Sequence, residues 1–128
     1  MKYRLLDILA CPMCKNFPLE LRVFEEKTYD RRIEGLEKPY CELYCGLNKE
    51  YIKNLSETPS CDECIKREVV AGILYCRKCG RWYPIIDEIP RMLPDNLRRE
   101  NEDKKFLEKY KDQIPVDILE KGKPFSLK

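Results

Sequence analysis

Apolar and polar residues alternate through Leu19-Glu20-Leu21-Arg22-Val23-Phe24, the two-residue period of a half-buried strand. The apolar run Val69-Val70-Ala71-Gly72-Ile73-Leu74-Tyr75 predicts a second strand leading into Cys76. A third run, from Trp82 to Pro94, contains Pro84, Pro90 and Pro94. Each proline lacks the donor that a sheet ladder needs, so the run is no helix and fits an exposed edge better than a central strand. An isoleucine-rich edge aggregates unless something covers it, which predicts cover from either the C-terminal helix or a partner. Between the first two runs, Leu47, Tyr51 and Leu55 recur every four residues, with Ile52 widening the stripe and Asn48 as N-cap. That spacing predicts a short helix, ended by the loop chemistry of Ser56-Glu57-Thr58-Pro59-Ser60. Beyond Asp95, residues 96–111 are mostly charged, and their few apolar residues include Phe106, Leu107 and Tyr110 in a narrow stripe, the pattern of a solvated helix with one contact face. Pro115 suits the first turn of a further helix, Val116 to Lys121, and Gly122 suits its end, leaving residues 124–128 as an anchored or partner-seeking tail.

The cysteines supply the chemistry. All eight fall into close pairs, Cys11-Cys14, Cys41-Cys45, Cys61-Cys64 and Cys76-Cys79, and the chain has no histidine. A Cys-x-x-Cys turn offers two sulfurs on one side of a tight knuckle, and two such turns close a tetrahedral structural zinc site with no position left for substrate. Disulfides would require an oxidising compartment. The stretch Met1 to Ala10 is too short for a signal peptide and is broken by Asp7, and no stretch is long and apolar enough to span a bilayer. The expected setting is the cytoplasm, where paired thiols stay reduced and bind metal. Two pairings are open. In the nested one, Cys11, Cys14, Cys76 and Cys79 hold one ion amid the three strand runs, as in a zinc ribbon, while Cys41, Cys45, Cys61 and Cys64 hold a second. In the sequential one, the first pair joins the second and the third joins the fourth. The nested arrangement predicts an α+β fold: a small antiparallel zinc-ribbon sheet from residues 1–30 and 65–95, an inserted helical zinc module at 31–64, and a helical tail at 96–128.

At 128 residues, a chain this charged builds only a small core, for which metal must partly substitute. Once eight thiols ionise on two divalent ions, the formal charge moves from +2 to about −2. A generally basic nucleic-acid surface is therefore not expected. Lys15, Arg77, Lys78 and Arg81 flank the outer knuckles and offset the anionic clusters, with RNA contact an auxiliary role at most. Tyr40, Tyr44 and Tyr51 are expected to fill a small core rather than to stack on bases. Without histidine, a glycine-rich phosphate loop or a nucleophile-base arrangement, catalysis by this chain is not expected.

Two stretches carry a resemblance: Leu5-Leu6-Asp7-Ile8-Leu9-Ala10-Cys11-Pro12-Met13-Cys14-Lys15, and Gly72 to Ile85 with Ile89-Pro90-Arg91-Met92-Leu93. They resemble the small zinc-binding methyltransferase activator subunits of archaea and eukaryotes. The resemblance implies a noncatalytic subunit that forms a heterodimer with class I S-adenosylmethionine-dependent methyltransferases acting on tRNA, rRNA and a release factor. It implies zinc ligands at Cys11, Cys14, Cys76 and Cys79, and a docking edge at Ile85, Ile86, Ile89 and Met92 that extends the partner's sheet. Two features depart from it. Asp87-Glu88 stands where the family commonly ends a turn in glycine, and the inner cysteines and the tail beyond Asp95 lie outside its minimal pattern. A rival reading is a zinc-ribbon RNA-binding module of the translation or transcription machinery.

Overall fold

The computed structural model describes residues 1–32 and 34–128. In chain order the elements are β1 (Glu20–Thr28), β2 (Tyr44–Cys45), β3 (Glu50–Tyr51), α1 (Cys61–Cys64), β4 (Arg67–Tyr75), β5 (Trp82–Ile86), β6 (Ile89–Pro90), α2 (Glu100–Lys109) and α3 (Val116–Lys121). Single 3₁₀ turns occur at Tyr3–Asp7, Ile52–Asn54 and Asp95–Leu97. An antiparallel sheet in the order β1-β4-β5-β6 forms the frame, and β2 and β3 make a separate hairpin. The long pairing of β1 with β4, from Glu20↔Tyr75 to Thr28↔Arg67, joins residues far apart in sequence, so the segment between them is an excursion from the sheet.

Alternation along the strands gives the sheet two apolar faces. On one, Tyr83 and Ile85 of β5 and Leu74 of β4 pack with Met1, Tyr3, Leu6 and Leu19. On the other, Trp82 and Ile73 pack with Phe106 and Leu107 of α2 and with Ile114 and Ile118. The Trp82 and Phe106 rings stack at 5.7 Å, and Phe24 stacks on Tyr110 at 4.8 Å. The C-terminal segment is therefore the second layer of the domain.

Two expectations need correction. The helix expected on Leu47, Tyr51 and Leu55 is absent: Lys49 has φ 56°, which no right-handed helix accommodates, and Cys45 pairs with Glu50 across a tight hairpin. Tyr51 instead packs edge-on to Tyr44, its partner across the hairpin, at 5.6 Å. Gly46 lets the hairpin lie against the Tyr3–Asp7 turn, since a Cβ there would lie 2.3 Å from the Tyr3 carbonyl oxygen. The run from Trp82 to Ile86 is likewise not an exposed edge. Residues 82–85 are buried and β5 lies between β4 and β6. Pro84 is tolerated because its position turns away from β4, where only its carbonyl is used, accepting the Arg91 N–H at 2.9 Å.

The rest of the outer edge of β5 is closed from within the chain. The Trp82 N–H donates to the Lys123 carbonyl at 3.0 Å, and the Lys123 N–H donates to that of Gly80 at 2.9 Å, a parallel bridge. Arg98 Nη1 donates to the Trp82 carbonyl at 2.7 Å, and the Trp82 indole N–H donates to that of Phe125 at 2.9 Å. Arg98 lies over the Trp82 ring at 4.7 Å and pairs at 2.8 Å with Asp103, both side chains being buried. The sequence allowed for cover by the C-terminal helix or by a partner; this part of the edge is instead covered by residues flanking the helices, Arg98 before α2 and Lys123 and Phe125 after α3.

Candidate metal centre

Two loops of the same backbone shape bring the outer cysteines together. The Cys11 N–H donates to the Asn16 carbonyl at 2.9 Å, and the Lys15 N–H returns to that of Cys11 at 2.8 Å. The Cys76 N–H donates to the Arg81 carbonyl at 2.8 Å, and the Gly80 N–H returns to that of Cys76 at 2.9 Å. Each turn is closed by a left-handed residue, Lys15 at φ 68° and Gly80 at φ 77°. The four sulfurs of Cys11, Cys14, Cys76 and Cys79 lie within 4.8 Å of one another, with Cys11–Cys79 at 3.6 Å and Cys14–Cys76 at 3.4 Å. A tetrahedral zinc with Zn–S near 2.3 Å sets its sulfurs about 3.8 Å apart. The set therefore fits one zinc ion, held by two residues before β1 and two between β4 and β5.

The surroundings suit thiolates. Burial pushes the Cys11 thiol up, but the Tyr83 hydroxyl at 3.2 Å and the backbone N–H groups of Cys14 and Met13 outweigh it and pull the thiol down to about 6. Burial and the neighbouring thiols Cys14 and Cys79 instead push Cys76 up to about 12. Arg81 grips Asp95 through two bonds of 2.8 and 2.7 Å while facing Cys79, which places a fixed positive charge beside the cluster. Arg77 is bound to Glu20 at 2.8 Å and Asp117 at 3.4 Å, and Lys15 donates to the Pro12 carbonyl. Ion pairs within the chain thus occupy two of the four basic residues singled out from the sequence.

The inner cysteines occupy the excursion between β1 and β4. Cys41, Cys45, Cys61 and Cys64 line a single cavity of about 20 Å³, but among the described residues only the outer set gathers its sulfurs within 4.8 Å. Burial pushes Cys41 up to about 12 and Cys64 up to about 11. None of the eight cysteines is in a disulfide.

Of the four expected docking residues, Ile85 is fully buried in the first core cluster, Met92 packs against that cluster and Ile86 against the second. Ile89 is 59% exposed. The turn Asp87-Glu88 has both residues left-handed, at φ 49° and 70°, the geometry of a tight hairpin that usually takes asparagine and glycine. Tyr29 holds it by donating its hydroxyl proton to Glu88 at 2.6 Å, as does the Glu88 N–H by donating to the Val70 carbonyl at 3.0 Å.

One anchor escaped the sequence reading. Asp7, which there served only to interrupt an apolar stretch, accepts the backbone N–H groups of Glu42, Leu43 and Tyr44 at 2.9, 2.8 and 2.8 Å. Burial pushes its carboxyl up, but these three donors, with Arg4 behind them, leave it below the usual carboxylate range. Asp7 thereby ties the excursion to the ribbon. Its partners lie 35 to 37 residues away, and no local pattern reveals such a contact.

No curated protein is similar enough to this chain to be matched. The family described as Trm112p-like protein matches residues 2–88, a span that contains the 3₁₀ turn at Tyr3–Asp7, the whole excursion, all four outer ligands and the sheet as far as the β5–β6 turn. With most of its length so matched, the chain belongs to the Trm112p-like family of methyltransferase activators.

Proposed function

We propose that this chain is a noncatalytic stabilising subunit of class I S-adenosylmethionine-dependent methyltransferases that modify tRNA and other translation components, with which it forms a cytoplasmic heterodimer. Membership of the family is the observation that carries this reading. The partner supplies the methyl donor and the catalytic groups, and this chain supplies a zinc-fixed sheet to dock against. Among the described residues, no helix is long and apolar enough to cross a membrane.

Docking by strand addition is supported at β6. This two-residue strand ends the sheet, and its Ile89 projects an isoleucine into solvent. Leu93 and Leu97, also exposed, line with Ile86 an adjoining groove of about 250 Å³. Because Ile85 and Met92 pack inward, the contribution of the 85–92 segment to docking rests on backbone groups and on Ile89 rather than on four projecting side chains. The pairing of Arg77 and Arg81 with carboxylates favours an auxiliary RNA contact over an RNA-binding module.

Copurification of the tagged full chain, followed by mass spectrometry, tests the proposal. A methyltransferase is expected at equal stoichiometry, and Ile89→Asp is expected to weaken the pair at least about a hundredfold by placing an unpaired charge in a desolvated contact. The zinc content of the variant should be unchanged, since Ile89 lies outside both cores. Salt-dependent RNA binding without any methyltransferase would overturn the reading, and full retention of the partner by Ile89→Asp would overturn the docking site.

A further inference from the structure

We propose that Cys41, Cys45, Cys61 and Cys64 form a second tetrahedral thiolate site for zinc, which organises the excursion between β1 and β4. The family assignment does not carry this; the local backbone does.

Cys45 opens a third loop built like the two outer knuckles. In each outer knuckle the fourth residue after the first cysteine is left-handed, and the fifth pairs back onto that cysteine. At Cys45 the corresponding residues are Lys49, at φ 56°, and Glu50, which pairs with Cys45 across the β2–β3 hairpin. The N–H three residues on is turned to sulfur in all three loops: that of Asn48 toward Cys45 at 3.5 Å, and those of Cys14 and Cys79 toward Cys11 and Cys76. A backbone that solvates a thiolate is thus used three times, twice at the metal centre. Its third use has the same chemistry to serve.

The other half of the site is a single helical turn. Cys61 and Cys64 open and close α1, and a spacing of three puts both sulfurs on one face. Asp62, between them, binds the Tyr40 hydroxyl at 2.8 Å and the Lys38 ammonium, which brings the residue before Cys41 onto α1. Asp7, from the ribbon, fixes residues 42–44. Two clamps outside the sulfurs therefore hold the segment that carries Cys41 and Cys45, one against α1 and one against the ribbon, and all four cysteines line one cavity.

That cavity, of about 20 Å³, is walled by the four cysteines with Leu47, Ile52 and Ile65. Its size suits one water or one ion. Water needs two to four polar partners and would meet sulfur and hydrocarbon here, whereas a soft divalent cation takes four thiolates as its preferred set. Binding draws the sulfurs to the tetrahedral separation of about 3.8 Å.

Elemental analysis of the full chain, purified from zinc-supplemented culture, decides the matter. Two zinc ions per chain are expected, and cobalt exchange should give tetrahedral thiolate absorption of twice the single-site intensity. Cys45→Ser/Cys61→Ser should fall to one zinc with unchanged emission from the sole tryptophan, Trp82, which lies in the core cluster on the other face of the sheet. One zinc in the wild-type chain with four fast-reacting thiols overturns the proposal, as does a double variant that still holds two. Iron at the inner set overturns the choice of ion. Should the variant not fold, the wild-type stoichiometry alone gives the answer.

Discussion

Replacing Asp7 isolates the joint between the ribbon and the excursion. Its two oxygens divide the work: Oδ1 accepts from Leu43 and Tyr44, and Oδ2 accepts from Glu42. A hydrogen bond to a charged group contributes ~1.5–3 kcal/mol where water cannot replace it, and far less at the surface. Only the bond from Tyr44 is partly buried; the other two are exposed. Counting the Tyr44 bond in full and the exposed pair at ~0.5 kcal/mol each, Asp7→Ala should destabilise the protein by about 3 kcal/mol. Asp7→Asn keeps a neutral acceptor at the Oδ1 position but turns its amide toward the Glu42 N–H, so it should cost about 1–2 kcal/mol. The assay is denaturant unfolding followed by circular dichroism at fixed free zinc. Because the folded carboxyl titrates below its unfolded value, its stabilisation is fully present above the unfolded pKa of about 4 and is lost as pH falls through the folded one. The gap between wild type and Asp7→Asn should accordingly be the same at pH 7 and pH 5, and should narrow only below about pH 4. An Asp7→Ala protein within ~0.5 kcal/mol of wild type at pH 7 would refute the joint, since such a cost is that of an ordinary surface change.

Two further substitutions probe the second layer. Phe106→Ala removes the ring that stacks on Trp82 in a buried cluster and should cost about 3–5 kcal/mol, with a red shift of the tryptophan emission as water reaches the indole; an unshifted spectrum would argue against the packing described. Gly122→Val should undock the end of α3, because a Cβ there would lie 2.5 Å from the Ile118 carbonyl oxygen and 2.8 Å from Trp82 Cδ1. Loss of protection of the Trp82 amide in hydrogen exchange would report it, with zinc content unchanged.

The runs that form β1, β4 and β5 were legible in the sequence because each carries one dominant apolar signal, although the prolines disguised β5 as an edge and the two-residue strands β2, β3 and β6 left no signal of their own. Their limits were less so: β1 continues through Glu25, Glu26 and Lys27, exposed residues that backbone pairing with β4 holds in the sheet. Cysteine spacing gave the four pairs because a knuckle is a local object, but it left two pairings open; only the fold brings the sulfurs of Cys11 and Cys14 to those of Cys76 and Cys79. The helix expected around Tyr51 failed for the opposite reason. Four-residue spacing over so short a window cannot distinguish a helix from a hairpin whose aromatics meet across it; the deciding features are a left-handed lysine inside the hairpin loop and a glycine under Tyr3, whose partner lies far off in the chain. The start of α2 at Glu100 rather than Asn96 reflects a 3₁₀ turn at Asp95–Leu97, where Arg81 claims Asp95.

Lys123, seated on the backbone of β5, gives the protein a resident rival for any guest strand. The rival is covalently attached, and a tethered segment acts at an effective concentration on the order of millimolar. A visitor aimed at Trp82 must outcompete the Lys123 bridge and the Arg98 guanidinium for the same donors and acceptors, and must do so while uncovering an indole ring. A visitor aimed at the outer side of β6 displaces neither of these. The tail thus sets the direction from which the sheet can be approached, because with Arg98 it leaves the Trp82 N–H and carbonyl already occupied.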